Sequence, residues 1–170
     1  MKQSALLLVF VSPPGSGKTY FSKRFVKNND FIRIGSDTVR EEMFVHPDYS
    51  LKERQLVYEK MDQMIEGNLQ QGNNIILDGN LLTNDDRHKI FKQYKKYGKV
   101  IFLTFDIDFD FTLKRAIEIG NPLDPHIDEH VRAMYQAFEP LDTDLPSITI
   151  KSGTYGAMQK QLKQELQVLT

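Results

Sequence analysis

Cysteine is absent from the 170-residue chain, which excludes disulfides, thiolate nucleophiles and cysteine-based zinc sites together. That composition fits a reducing compartment. Long apolar runs are absent too. The longest, Ala5 to Val11, has 7 residues, whereas a membrane-spanning helix needs about 20. Lys2 ahead of this run imitates a leader only faintly, because the run ends in Ser-Pro-Pro-Gly rather than a small-residue cleavage site. A cytoplasmic protein is the expectation. Charge of one sign is also missing: 22 Lys and Arg stand against 23 Asp and Glu, a net charge of −1. No global attraction to nucleic acid or an anionic membrane follows. Repeats and low-complexity stretches are missing as well, so solenoids and linkers are excluded.

What remains is strand-like and helix-like segments in alternation. Ala5–Ser12 is a continuous apolar run ending in turn residues, the pattern of a strand buried on both faces. Short strands are expected at Ile32–Gly35, Asn74–Asp78 and Ser147–Ile150, and a long one at Lys99–Asp106. Helical spacing marks Lys18–Lys27, Thr38–Phe44, Leu51–Gln71, Asn84–Tyr97, about 108–119, Asp128–Phe138 and Ala157–Leu169. The alternation implies crossover connections and one domain over residues 1–170. Its fold class is α/β, a three-layer α/β/α arrangement on a parallel sheet of about five strands.

The most specific segment is Ser12-Pro13-Pro14-Gly15-Ser16-Gly17-Lys18-Thr19. It matches the Gly-x4-Gly-Lys-Ser/Thr phosphate loop except that Ser12 replaces the first glycine. A buried strand precedes it and an amphipathic helix follows. Gly15 and Gly17 let the backbone curl so that its N–H groups face phosphate oxygens. Pro14 through Tyr20 is thus the candidate nucleotide-binding stretch, with Lys18 reaching the β- and γ-phosphates and the Thr19 hydroxyl on Mg²⁺.

In a parallel sheet the carboxyl ends of the strands form one rim, where ligands bind. Asp37 lies on that rim and could take the proton of an attacking hydroxyl. Arg40, three residues on, would face the same way and hold a phosphate of the acceptor. Thr38 and Glu41 form a capping box, which predicts a helix starting at Thr38 with Asp37 outside it. Asp78, ending an apolar strand, suits Mg²⁺ binding or nucleophile positioning, with Asn80 and Arg87 as acceptor-side candidates. The lysines of the helix near Arg87–Lys99 read chiefly as a solvated face, with Ile90, Phe91 and Tyr94 toward the sheet. No pair of histidines has a spacing that argues for metal.

Pro14-Gly-Ser-Gly-Lys-Thr19, Ser36-Asp-Thr-Val-Arg40, Leu77-Asp-Gly-Asn80, Asp106 with Leu113-Lys-Arg115, and Arg132-Ala-Met-Tyr135 occur in this order. Together they resemble the AAA-type P-loop kinases typified by the kinase domain of phage polynucleotide 5′-hydroxyl kinases and their zeta-toxin-like relatives. The resemblance covers roughly residues 5–140. It implies a P-loop nucleoside triphosphate hydrolase fold with a small helical lid at about 114–128, and use of ATP and Mg²⁺. It also implies Asp37 as general base, Arg40 at the acceptor phosphate, and a polynucleotide 5′-hydroxyl, the end of a single strand, as acceptor. Such kinases carry an Arg four residues after Arg115, where this chain has Ile119. Arg115 is then the remaining lid cation, and Arg115 or Arg132 is the expected substitute for the missing arginine. Two alternatives stay open: a kinase acting on a nucleoside, sugar or antibiotic, and an ATP-binding switch without transfer.

Overall fold

The computed structural model describes residues 5–120 and 126–169. Lys2 and the centre of the expected lid, 121–125, lie outside the described residues. The sheet has five strands: β1 (Ala5–Phe10), β2 (Ile32–Gly35), β3 (Ile75–Asp78), β4 (Gly98–Asp106) and β5 (Ser147–Lys151). They run in the order β2-β3-β1-β4-β5, and every pairing is parallel. Helices α1 (Lys18–Phe25), α2 (Ser36–Met43), α3 (Leu51–Gln71), α4 (Asn84–Tyr94), α5 (Phe109–Glu118), α6 (Ile127–Gln136) and α7 (Tyr155–Leu169) connect and cover them.

Strand β1 is central and apolar on both sides because helices cover both faces of the sheet. The two-residue period of a strand sends Leu7 and Val9 to one side, against Val57, Met61 and Ile65 of α3 and Tyr94 of α4. Leu6, Leu8 and Phe10 go to the other side, against Phe21 and Phe25 of α1 and Leu162 of α7. Burying each large apolar side chain stabilises the fold by about 1.5–3 kcal/mol. Because the strands are parallel, the ends of β1, β2 and β3 open on one rim. Val9 is in register with Leu77 and with Phe102, so the chain just after β1 and Asp78 meet there.

Most boundaries fall within two residues of the sequence expectation, and two departures have physical causes. Helix α4 ends at Tyr94 rather than Tyr97, because the chain must turn into β4. At Gly98 a β-carbon would overlap the Ala5 carbonyl, so strand pairing starts at that glycine. Helix α2 starts at Ser36 with Gly35 as its N-cap, two residues ahead of the expected Thr38.

Candidate active site at the carboxyl rim of the sheet

The chain between β1 and α1 forms a loop around Gly15 (φ +81°) and Gly17 (φ +91°), a region where side chains carry a steric cost. A β-carbon on Gly15 would also stand 2.6 Å from the Thr112 carbonyl, so α5 seals the loop from behind. Helix α1 has Gly17 as its N-cap, with no side-chain cap and no acidic residue in its first turn. Its N–H groups and partial positive charge are thus available to an anion. Ser16 Oγ is buried without a hydrogen-bond partner, an orphan polar atom that a ligand would satisfy. Ser12, in place of the usual glycine, is buried and tied down. Its Oγ donates to the Val11 carbonyl (2.7 Å) and accepts from the Phe105 N–H (3.2 Å).

Lys18 folds back over the loop, Nζ donating to the carbonyls of Ser12 (2.6 Å) and Pro13 (2.9 Å). Burial lowers its pKa to about 8, with Asp78 pulling the other way. The Tyr135 hydroxyl of α6 donates to the Pro14 carbonyl (2.7 Å), pinning that helix to the loop, and burial pushes its pKa up to about 12.

A residue the sequence reading did not single out organises the acidic side of the rim. Arg33, on β2, donates to Asp78 Oδ2 through Nη2 (2.7 Å) and Nε (3.1 Å), and to Asp37 Oδ1 through Nη2 (3.0 Å). Its Nη1 donates to Thr38 Oγ1 (2.8 Å), and its guanidinium lies against Gly35, where a β-carbon would clash. The expected Thr38–Glu41 capping box is therefore replaced: Thr38 serves Arg33, and Asp37 sits inside the first turn of α2. The signal was present in Ile32-Arg33-Ile34, a charged residue inside an apolar strand.

The two carboxylates end in different environments. Asp78 is buried, and all the donors it receives, from Arg33 and from Ser22 Oγ (3.0 Å), land on Oδ2. Asp37 keeps 46% of its side chain exposed. Burial pushes the Asp37 carboxyl up, but the Arg33 charge and hydrogen bond, the Thr38 N–H and Lys23 outweigh it and hold the pKa below the ordinary value. Asp37 is therefore ionised and open to solvent at neutral pH.

The other candidates each have contacts of their own. Arg40 gives its Nε to Glu53 Oε1 (2.7 Å) on α3 and stacks on Tyr49, so its charge is already paired. Arg87 is fully buried. Its guanidinium donates to the carbonyls of Leu81, Leu82, Glu139 and Pro140 and to Asn84 Oδ1, making it a clamp between two loops. Asn80 is exposed just beyond β3, near Met134 of α6. Folding brings His88 within 2.9 Å of Asp142 and 3.8 Å of Asp144, a polar cluster at the surface that joins α4 to the loop before β5.

Beside the loop opens a cleft of about 470 Å³, lined by Gly15 to Gly17, Tyr20, Phe111, Arg115, Ser152 and Tyr155 among others. The Tyr155 hydroxyl is, among the described residues, another buried side-chain polar atom without a hydrogen-bond partner. Arg115 faces this cleft, whereas Ile119 is exposed at the end of α5 and Arg132 pairs with Asp128 on the surface (2.9 Å). Thr19, partly buried, follows Lys18, and together with Asp78 Oδ1 it offers the hard oxygens that suit Mg²⁺ shared with phosphates and water.

Residues 7–141 match the AAA domain family. The chain belongs to that family. The fold of this AAA domain protein is that of P-loop kinases. A putative kinase from Chloroflexus aurantiacus is 16% identical with a TM-score of 0.71, each chain being covered in full. A chain of the Pnkp1/Rnl/Hen1 RNA repair complex is 20% identical (TM-score 0.61) over 82% of this chain and 48% of that one. The protein thus spans about half the length of that relative. A gluconokinase from Sinorhizobium meliloti 1021 is 13% identical (TM-score 0.61) over 99% and 98% of the two chains. No curated protein matches the chain. Among the described residues no helix is long and apolar enough to cross a membrane.

Proposed function

We propose that the protein transfers the γ-phosphate of ATP to a hydroxyl group, with a polynucleotide 5′-hydroxyl as the leading acceptor. One observation carries this reading: an ionised, solvent-open Asp37 linked to the phosphate-loop helix through Arg33, Asp78 and Ser22. A nucleotide-binding loop alone serves switches and hydrolases equally well. A separate open carboxylate on the same rim is what an acceptor hydroxyl requires.

In this mechanism the loop N–H groups and Lys18 bind the phosphates, Lys18 leaving the Ser12 and Pro13 carbonyls to do so. Thr19 would hold Mg²⁺, which would supply neutralising charge to the β- and γ-phosphates. The acceptor oxygen bonds to Pγ as the bond from Pγ to the β–γ bridging oxygen breaks. ADP leaves with that electron pair, and the hydroxyl proton passes to Asp37. A carboxylate with a lowered pKa is a weak base, which suits a loose transition state in which the proton moves late and positioning dominates. Arg115, which lines the cleft beside the loop, is the candidate lid cation. Asp78, neutralised by Arg33, acts chiefly by fixing Arg33 and through its second oxygen.

A second reading, a small-molecule acceptor, is favoured by a hollow of about 460 Å³ between α3 and α4. Met61, Ile65, Leu77 and Ile90 line it, with Gly79 and Asn80 at one side. The near-neutral charge of the chain and its full-length likeness to a gluconokinase point the same way. The test is transfer of labelled γ-phosphate to a 5′-hydroxyl oligonucleotide by the wild type and by Asp37→Asn. Transfer by the wild type, with a loss of at least a hundredfold in the variant at unchanged ATP affinity, is expected. Transfer untouched by Asp37→Asn removes the base assignment. Transfer to a sugar acid and not to the oligonucleotide establishes the second reading.

A further inference from the structure

The connection between α2 and α3 presents an aromatic ring that the reading above does not use. Tyr49 is the one non-glycine residue with positive φ among the described residues, at +56°. A bulky side chain keeps such a conformation only where its surroundings over-determine it. Here they do. Asp48 Oδ1 accepts from the Ser50 N–H (2.8 Å), and Ser50 Oγ accepts from the Glu53 N–H (3.1 Å). Glu53, itself buried, accepts from the Asp48 N–H (2.6 Å) and from Arg40 Nε (2.7 Å). The result is a Tyr49 residue that is 59% exposed, with the Arg40 guanidinium 4.9 Å from the centroid of its ring.

Arg40 stands one helical turn beyond Asp37 on the same side of α2. The ring therefore extends the acceptor side of the rim, with Arg40 against it and the remaining ring surface toward solvent. Glu53 already pairs with Arg40, so the local attraction is for a planar ring rather than for a phosphate. We propose that Tyr49 is the platform on which the base beside the acceptor hydroxyl stacks, with Arg40 fixing the tilt of the platform. This names the acceptor as a nucleoside or nucleic-acid end, and it rests on the kinase reading of the Asp37 rim. A sugar acid offers no π face to such a platform.

The chain contains no tryptophan, so Tyr49→Trp places a sole indole at this position. Adenosine and a 5′-hydroxyl dinucleotide should quench its fluorescence saturably, and gluconate should not. In transfer assays Tyr49→Gly, which removes the ring and relieves the positive φ, should raise the KM for a 5′-hydroxyl oligonucleotide about tenfold. The kcat at saturating acceptor and the ATP affinity should hold, and Tyr49→Phe should restore the KM. No quenching by either nucleoside probe, or an unchanged KM in Tyr49→Gly, overturns the proposal while leaving the kinase reading standing. If the wild type transfers phosphate to no hydroxyl, the kinase reading fails, and the quenching still decides whether Tyr49 binds bases.

Discussion

Arg33 Nη2 lies 2.7 Å from Asp78 Oδ2, both side chains at least 92% buried, and the same nitrogen reaches Asp37 Oδ1 at 3.0 Å. One guanidinium thus spans the carboxylate that ends β3 and the carboxylate that begins α2. The buried carboxylate supplies a fixed counter-charge, which holds the guanidinium where it can steer the exposed one. Desolvation lowers the Arg33 pKa, and the two carboxylates more than reverse it, so the residue stays charged throughout.

Arg33→Met should leave Asp78 as an unpaired buried charge and cost about 3–5 kcal/mol of stability. The double variant with Asp78→Asn should recover part of that loss, since an amide needs no counter-charge. Asp37 gives an independent signature. Its lowered pKa means that its folded-state stabilisation is present above the unfolded-state pKa, about 3.9, and is lost as pH falls through the lower folded value. In Arg33→Met the main lowering cause disappears, so the acid limb of kcat/KM should move to higher pH. Denaturant melts and a pH–rate profile read both effects. A profile that does not move would show that Arg33 leaves the protonation of Asp37 alone.

The fold was legible in the sequence because its signals are local: apolar runs of strand length, helical spacing between them, and a glycine-punctuated loop at the first junction. The positions of Lys18, Asp37 and Asp78 on the rim were legible for the same reason, each standing at the end of a readable element. What could not be read was pairing. Nothing in the spacing says that Arg33 reaches Asp78, 45 residues away, or that Arg40 is neutralised by Glu53, 13 residues away. Arg87 shows the same limit, because its partners on the second loop lie 52 and 53 residues away. A basic residue on a helix reads as solvated, and only the convergence of four loop carbonyls shows why this one is buried. The start of α2 shifted because Thr38 had a stronger tertiary partner than its own helix end.

The buried position of Arg87 turns into a separate expectation. Arg87→Met should strip partners from the carbonyls of Leu81, Leu82 and Glu139, each orphaned acceptor costing about 1–3 kcal/mol. A net loss of roughly 3–5 kcal/mol lowers the Tm by about 10 °C in a chain of this size. Burial already depresses the pKa of this arginine, which marks it as a structural charge held by carbonyl dipoles. The KM for acceptor, measured well below the lowered Tm, should not change. A raised KM at an unchanged Tm would instead place Arg87 in the acceptor site.

Lys18 carries the last expectation. Burial lowers its folded pKa to about 8, against an ordinary value of 10.5. Between about pH 8 and 10.5 the unfolded chain therefore binds more protons than the free folded protein, so stability of the free protein should rise with pH across that window. ATP binding works in the opposite direction. Phosphates favour the ammonium form and raise its pKa again, so binding near pH 8.5 should take up about three quarters of a proton. The ATP dissociation constant should accordingly rise above pH 8, approaching tenfold per pH unit. Calorimetry in buffers of different ionisation enthalpy measures the uptake directly, and Lys18→Met should abolish it along with most of the affinity. Absence of proton uptake in the wild type would mean that Lys18 is already charged in its resting position on the Ser12 and Pro13 carbonyls.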